Sequence, residues 1–258
     1  MSERITQPPG EAPASGAAPH PVLAHRYARP EEREGFVRNL FDQTAPHYDR
    51  IDRVFSLGTG PGYRRRALRE AGLRPGMRVL DVATGTGLVA RQAVAITGDP
   101  ALVTGLDPSE GMLAEARRAL PGVTLLQGRA ERIPLPDASV DFLSMGYALR
   151  HVADLGAAFA EYRRVLRPGG TALILEIGRP ESRLARAIAR FYMGAAIPAL
   201  CWLAAPRHRS GELMAYYWET IEACVPAETI LGAMRGAGFA EAACTTELEV
   251  FRAYTARA

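Results

Sequence analysis

Between residues 77 and 177, short runs of aliphatic and β-branched residues alternate with amphipathic runs of helical spacing. No other feature restricts the fold of this chain as strongly. The β-rich runs cover residues 77–83, 101–107, 122–128, 140–148 and 171–177, and helical runs follow at 88–96, 109–120 and 155–166. Strands alternating with helices predict βαβ units and a mostly parallel sheet with helices packed on its faces. One more helix at 226–238 and two antiparallel closing strands within 239–256 bring the expectation to a seven-stranded mixed sheet, α/β in class and Rossmann-like. Ser109 suits the N-cap of the second helix of this series.

The flanks read differently. Residues 1–30 are rich in Pro, Ala, Gly and Ser and carry no apolar core of signal-peptide type, which predicts a disordered leader. Residues 31–72 read as a helical N-terminal cap, with two short helices broken near Pro46 and a third ended by Gly72. A helical stretch at 182–225 interrupts the strand–helix alternation as an insert of the kind that covers ligand sites. Its apolar run at 191–205 contains Pro198 and is too short for a comfortable membrane span. Arg183, Arg186 and Arg190 lie beside that run, so residues 182–205 read as a lid over a lipid tail, a peripheral helix on a membrane surface, or a core or homodimer helix.

Composition narrows the function classes. A net charge of +3 with scattered arginines and no aromatic platform argues against nucleic acid as a partner. Cys201, Cys224 and Cys244 are far apart and lack CxxC spacing, which predicts reduced thiols in a cytoplasmic setting, without disulfides or a zinc site. The five histidines are too dispersed to suggest a metal centre.

Three features point to a ligand. Gly85, Gly87 and Ala90 give G-x-G-x-x-A between the first strand and its helix, where small residues permit a tight turn and close ligand approach. Dinucleotide dehydrogenases share this spacing, and a plain strand–helix turn also satisfies it. Asp81, just ahead of the turn, suits a ligand with a cationic group such as the amino group of S-adenosylmethionine. Asp107, ending the second strand, can accept two hydrogen bonds from ribose hydroxyls, or can merely favour the dipole of the next helix.

The stretches "FDQTAPHYDRIDRVFSLG", "VLDVATGTG", "LDPSEGMLAEAR", "AERIPLPDASVDF", "GYALRHV" and "YRRVLRPGGTALILEIGRP" span residues 41–180. Together they resemble the ubiquinone/menaquinone biosynthesis C-methyltransferase family, class I S-adenosylmethionine-dependent methyltransferases. The resemblance implies methyl transfer to a ring carbon of a prenylated quinol, of demethylmenaquinol or ubiquinol-precursor type, or of a related lipidic phenol. It also implies a cofactor site at Asp81, Gly85, Thr86, Gly87, Asp107, Met112, Arg129, Ala130 and Gly146, with Arg150, His151 and Tyr48 as catalytic candidates and no metal.

The chain departs from the family pattern at three of these positions. Arg129 stands where Asp or Asn is usual and cannot accept from an adenine amino group; it stacks on the adenine or points to solvent, leaving that recognition to the Ala130 backbone. Gly146 stands where Ser is frequent, and His151 where Asn is usual. Arg150 suits electrostatic stabilisation of a phenolate, and His151 can take a proton near neutrality. In the plainer reading Arg150 pairs with Asp154 and His151 caps the next helix. Rival functions are O- or N-methylation of another small molecule or lipid, motivated by the divergent insert, and a non-catalytic S-adenosylmethionine-binding protein, motivated by the three departures. A nicotinamide dehydrogenase is the weakest rival.

Overall fold

The computed structural model describes residues 3–5, 18–197, 199–200 and 210–258 of the 258-residue chain. The alternating segment forms β2 (Val79–Val82), α3 (Leu88–Thr97), β3 (Val103–Asp107), α4 (Glu110–Ala119), β4 (Thr124–Gln127), β5 (Val140–Gly146), α5 (Leu155–Val165) and β6 (Leu166–Ile177). α8 (Ala227–Gly236), β7 (Ala240–Glu247) and β8 (Phe251–Arg257) close the chain. The seven expected strands are present, and a three-residue strand β1 (Glu3–Ile5) adds an eighth at the edge, antiparallel to β7.

The sheet order is β1-β7-β8-β6-β5-β2-β3-β4. β2 is parallel to both β3 and β5, and β6 pairs antiparallel with β8. The chain runs outward from β2 to β4 and then returns to β5 on the opposite side of β2. That reversal opens a crevice at the carboxyl ends of β2 and β5, where open α/β sheets bind ligands.

Period-two alternation builds a core on each face. Leu80, Val82, Leu143, Met145, Ala172 and Ile174 face α5 and α8, whereas Val79, Phe142, Leu173 and Leu175 face α2 (Gly60–Glu70) and α3. Ser109 caps α4 as expected, accepting from the Met112 amide at 3.0 Å.

Two expectations for the N-terminal region are corrected. The cap does not break at Pro46: α1 (Pro30–Phe55) is one helix of 26 residues with Pro46 inside it. Proline removes one intrahelical bond there. Packing of the flanking turns offsets that loss. Asp42 Oδ1 accepts from Ser109 Oγ at 2.6 Å and the Gly111 amide at 3.0 Å. A side chain on Gly111 would stand 3.0 Å from Asp42 Cα, so glycine permits this approach.

The second correction concerns the leader. Residues 18–29 are packed: His20 and Tyr27 are buried, and the Val225 amide donates to Pro19 O at 2.9 Å. Composition alone hides these distant partners. The rest of the leader, residues 1–2 and 6–17, lies outside the described residues.

The insert contains α6 (Arg183–Phe191), a π-helical turn (Tyr192–Ala196) and α7 (Ser210–Ala223). Pro198 and residues 201–209, including most of the apolar run after Leu200, lie outside the described residues. Ile197, Leu213, Met214 and Tyr216 of the insert bury against Leu40 and Ile51 of α1 as a third core. The insert and the cap therefore fold together over the carboxyl edge of the sheet. Among the described residues no helix is long and apolar enough to cross a membrane.

Candidate active site

A cavity of about 490 Å³ lies at the carboxyl ends of β2, β3, β4 and β5. Its floor is the backbone that follows those strands, from Ala83 and Gly85 through Asp107 and Ala130 to Gly146. Its roof is α1, which presents Arg33, Val37, Phe41 and Tyr48, and α7 adds Tyr217. α1 is pinned to three successive loops by one stripe of carboxylates. Glu34 accepts from Arg129, Asp42 from Ser109, and Asp49 from Thr86 Oγ1 at 2.5 Å.

One end of the cavity is built by the glycine turn and Asp107. Gly85 has φ +58, and a side chain there would meet nothing within 4 Å, so the turn presents bare backbone to open space. Gly87 has φ +88 and packs inward, where a side chain would run into Leu120. Asp107 Oδ2 accepts from the Gly85 amide and Oδ1 from the Ser109 amide, both at 2.8 Å. Those bonds aim the carboxylate, and each oxygen keeps a lone pair. Burial pushes the Asp107 carboxyl up to about 6, against the two amides that pull it down.

The expected cofactor residues separate into two groups. Gly85, Asp107, Met112, Arg129, Ala130 and Gly146 line the cavity. Asp81, Thr86 and Gly87 do not. The parallel register pairs Asp81 with Ser144, so both side chains share a sheet face and Ser144 Oγ donates to Asp81 Oδ1 at 2.7 Å. Thr84 Oγ1 takes the other oxygen at 2.7 Å. Asp81 braces the turn from beneath, with both carboxylate oxygens engaged by hydroxyls. Thr86 is spent on Asp49. Arg129 is half-exposed between Glu34 and Glu131, its Nε 3.5 Å from Glu131 Oε2, so the two carboxylates fix its direction.

The other end is aromatic. Phe41, Tyr48, Tyr217 and His151 line it, with Tyr48 Oη 3.0 Å from Tyr217 Oη. His151 lies edge-on to Phe41 at 5.3 Å and stacks on Tyr216 and Tyr217 at 5.4 and 6.1 Å. Its Nδ1 is 3.1 Å from Tyr216 Oη, and its buried Nε2 has no hydrogen-bond partner. Burial, then the guanidinium groups of Arg150 and Arg33, hold the imidazole well below its ordinary value, so the ring is neutral. Burial likewise pushes Tyr48 up to about 12 and keeps it a phenol.

Arg150 is the largest correction. Its side chain is 1% exposed and absent from the cavity wall. It is ion-paired with Glu176 at the end of β6, donates to Thr220 Oγ1 at 3.3 Å and lies 5.7 Å from the Tyr217 ring. Burial raises the Glu176 carboxyl, and Arg150 opposes that shift. The plainer reading also fails in its partners: Asp154, not His151, caps α5, accepting from the Ala157 amide at 3.1 Å. Arg150 thus positions the loop that carries His151. The residues missed at sequence level are Arg33, Glu176, Tyr216 and Tyr217. Each left a signal: a charge in an apolar helix face, a charge in an apolar strand, and adjacent tyrosines in the insert.

The ubiE/COQ5 methyltransferase family matches residues 28–248. The chain belongs to that family. A demethylmenaquinone methyltransferase from Symbiobacterium thermophilum is 36% identical over 72% of this chain and 77% of its own length. A ubiquinone/menaquinone biosynthesis C-methyltransferase from Geobacter sulfurreducens is 37% identical over 69% and 71%. Among solved structures, an S-adenosylmethionine-dependent methyltransferase from Thermotoga maritima, described as a possible histamine N-methyltransferase, superposes with TM-score 0.59. It is 22% identical and covers 85% of this chain and 98% of its own, a likeness of fold.

This member of the family uses S-adenosylmethionine, and the residues present fit it. The bare backbone of Gly85 admits a ligand, Asp107 offers two acceptor oxygens for ribose hydroxyls, and Met112 and Ala130 line the same cavity. Asp107→Asn is expected to weaken S-adenosylmethionine binding about tenfold to a hundredfold, the scale of one or two hydrogen bonds to a charged group. The wild-type affinity should fall as pH drops through about 6, because ribose prefers the ionised carboxylate and protonation removes an acceptor. Calorimetry between pH 5 and 8 measures both effects, and an Asp107→Asn protein with wild-type affinity would refute the assignment.

Proposed function

We propose that the chain methylates a ring carbon of a prenylated quinol of demethylmenaquinol or ubiquinol-precursor type. The family and the names of its relatives support this reading. So does one observation in particular: the unpartnered Nε2 of His151 in an aromatic-walled end of the cavity. When bound, S-adenosylmethionine supplies the electrophilic methyl group.

A quinol ring carbon becomes a stronger nucleophile as the adjacent hydroxyl releases its proton. Neutral His151 takes that proton at Nε2, while Nδ1–H donates to Tyr216 Oη and fixes the tautomer. Phe41, Tyr48 and Tyr217 wall the ring, orient it and keep water away. The new carbon–carbon bond would form as the methyl–sulfur bond breaks; the ring C–H proton is then lost to solvent, aromaticity returns, and His151 gives its proton back to the ring oxygen. Methyl transfer from a deuterated donor to short-tailed demethylmenaquinol and ubiquinol-precursor analogues tests this. Label on a ring carbon is expected. Label on oxygen or nitrogen would replace the C-methylation reading.

We further infer that the enzyme works in the cytoplasm against an anionic lipid surface. Free thiols at Cys224 and Cys244 suit a reducing compartment. Leu184, Ile188 and Phe191 stand at i, i+4 and i+7 of α6 and are 72%, 59% and 68% exposed. Arg183 and Arg190 on the same helix are also exposed, a pairing of apolar and basic groups that suits a lipid interface. Co-sedimentation with anionic vesicles should fall at least tenfold when Leu184, Ile188 and Phe191 are all changed to Ser. Unchanged sedimentation, or a dimer that depends on the same three side chains, would overturn the lipid assignment.

A further inference from the structure

The proton transfer drawn above has an unmet electrostatic need. A buried, neutral imidazole is a weak base, so deprotonating a phenol beside it requires a fixed cation to stabilise the phenolate. Arg150 is the cation adjacent to His151 in sequence, but its charge is compensated by buried Glu176 and its side chain does not reach the cavity.

Arg33 reaches it. This residue of α1 is 7% exposed and lines the cavity with His151. One amino group, Nη2, lies 2.8 Å from His20 Nε2 and also donates to the Arg150 carbonyl oxygen. Both partners are neutral: burial and the Arg33 charge bring His20 down to about 4. Among the described residues no carboxylate lies within ion-pairing distance of Arg33. Its Nε is buried and has no hydrogen-bond partner. A desolvated guanidinium with a free N–H is costly unless something anionic or strongly accepting meets it. His151 lines the same cavity, and its buried Nε2 is orphaned as well.

The charged and titratable groups around Arg33 are His20 and Tyr27 from the N-terminal segment, Arg150 and His151 after β5, and Tyr216 from α7. Glu34 and Arg38 of α1 line the same cavity, and Glu34 is engaged by Arg129. Glu176 is beyond them and engaged by Arg150. None of these supplies the missing negative charge, which leaves the cavity itself as its place.

We propose that Arg33 is the binding site for the ionised ring oxygen of the acceptor, its free guanidinium N–H and the His151 Nε2 together receiving one aromatic hydroxyl as phenolate and proton. This rests on the aromatic-acceptor reading above and names the residue that makes the acceptor acidic. The hydroxyl O–H breaks, its proton goes to Nε2, and the negative charge stays on oxygen opposite Arg33.

The test uses 4-nitro-1-naphthol, whose ionisation is visible by absorbance, bound to the full chain saturated with S-adenosylhomocysteine. An opposite charge at contact range lowers an acid's pKa by about 1–3 units, so the bound naphthol should ionise that much lower than free naphthol. Arg33→Gln should lose at least one unit of that shift, a tenfold or greater loss of phenolate affinity, while Arg33→Lys retains most of it. The paired replacement Arg150→Gln with Glu176→Gln, which removes both buried charges together, should leave phenolate affinity within threefold.

An unshifted naphthol in the wild type, or an undiminished shift in Arg33→Gln, would overturn the proposal. So would a shift that vanishes only in the Arg150/Glu176 pair. Should Arg33→Gln fail to fold, a depressed value retained in Arg33→Lys and in the Arg150/Glu176 pair supports Arg33, and its loss in that pair overturns it. The quinol assay is separate. Ring methylation with no naphthol shift would sink Arg33 alone, whereas a shifted naphthol in a chain that methylates no quinol would sink the quinol reading and keep Arg33.

Discussion

Glu176→Ala will destabilise the fold by about 3–5 kcal/mol, the cost of stranding a buried charge. The carboxylate and Arg150 are 2% and 1% exposed, so water cannot replace the lost partner. For a domain of this size the penalty corresponds to roughly 6–20 °C in Tm. Arg150→Ala should cost a similar amount, because Glu176 is then left with backbone amides alone, among them Ile177 N at 2.8 Å. Joining Arg150→Met to Glu176→Leu should recover most of the stability, since apolar side chains of similar volume suit the same space. Urea unfolding of the single and double variants measures this. Single variants within 1 kcal/mol of wild type would show that the pair is not the buried clamp described here.

The second large effect is on activity. His151→Ala is expected to lower kcat about 10²-fold or more while S-adenosylmethionine affinity stays within threefold, the usual range for loss of a general base. His151→Asn is the sharper test, because it keeps a polar group beside Tyr216 but offers no basic nitrogen. It should lose nearly as much kcat as Ala. Full activity in His151→Asn would reduce His151 to a hydrogen-bonding group. The pH profile gives an independent check. The folded imidazole titrates well below 6.5, so its neutral form prevails throughout the neutral range. At saturating S-adenosylmethionine the wild-type kcat should therefore show no acidic limb near pH 6.5. A limb there that disappears in His151→Asn would mean the imidazole is not desolvated as the structure has it.

The same buried histidine affects stability. Its folded value lies below the unfolded one, so the unfolded chain binds more protons as pH falls below 6.5, and stability declines in that direction. His20, brought down to about 4, acts in the same sense. Asp81 and Asp107 oppose them. Their folded values of about 6 exceed the unfolded 3.8, so the folded chain holds protons and loses stability as pH rises from about 4 to 6.

The legible part of this protein was local and repetitive. Alternating β-rich and amphipathic runs gave away the parallel sheet, the glycine turn located the crevice, and Ser109 announced its helix. The resemblance to the family rested on those same stretches and on the loop carrying Arg150 and His151. Three of the failed expectations show a distant partner outweighing a local preference. Pro46 argues for a break, yet Asp42 and Gly111 seat the helix on α4. Composition argues for disorder to residue 30, yet within residues 18–29 His20 finds Arg33 and Pro19 finds Val225. Arg150 sits where a catalytic cation belongs, yet Glu176 claims it.

Sequence by itself determined the layer architecture, the edge of the sheet that binds, and part of the cavity lining, among it Gly85, Asp107 and His151, because period, turn chemistry and strand order act over a few residues. Only the tertiary structure decided which charges remain available for chemistry. Arg33 and Arg150 are equally cationic in the sequence, and Asp81 and Asp107 equally acidic. A buried carboxylate claims Arg150, and two hydroxyls claim Asp81. Arg33 and Asp107 line the cavity free of such claims, because the energy of a charge in a protein interior depends on what stands within a few ångströms of it.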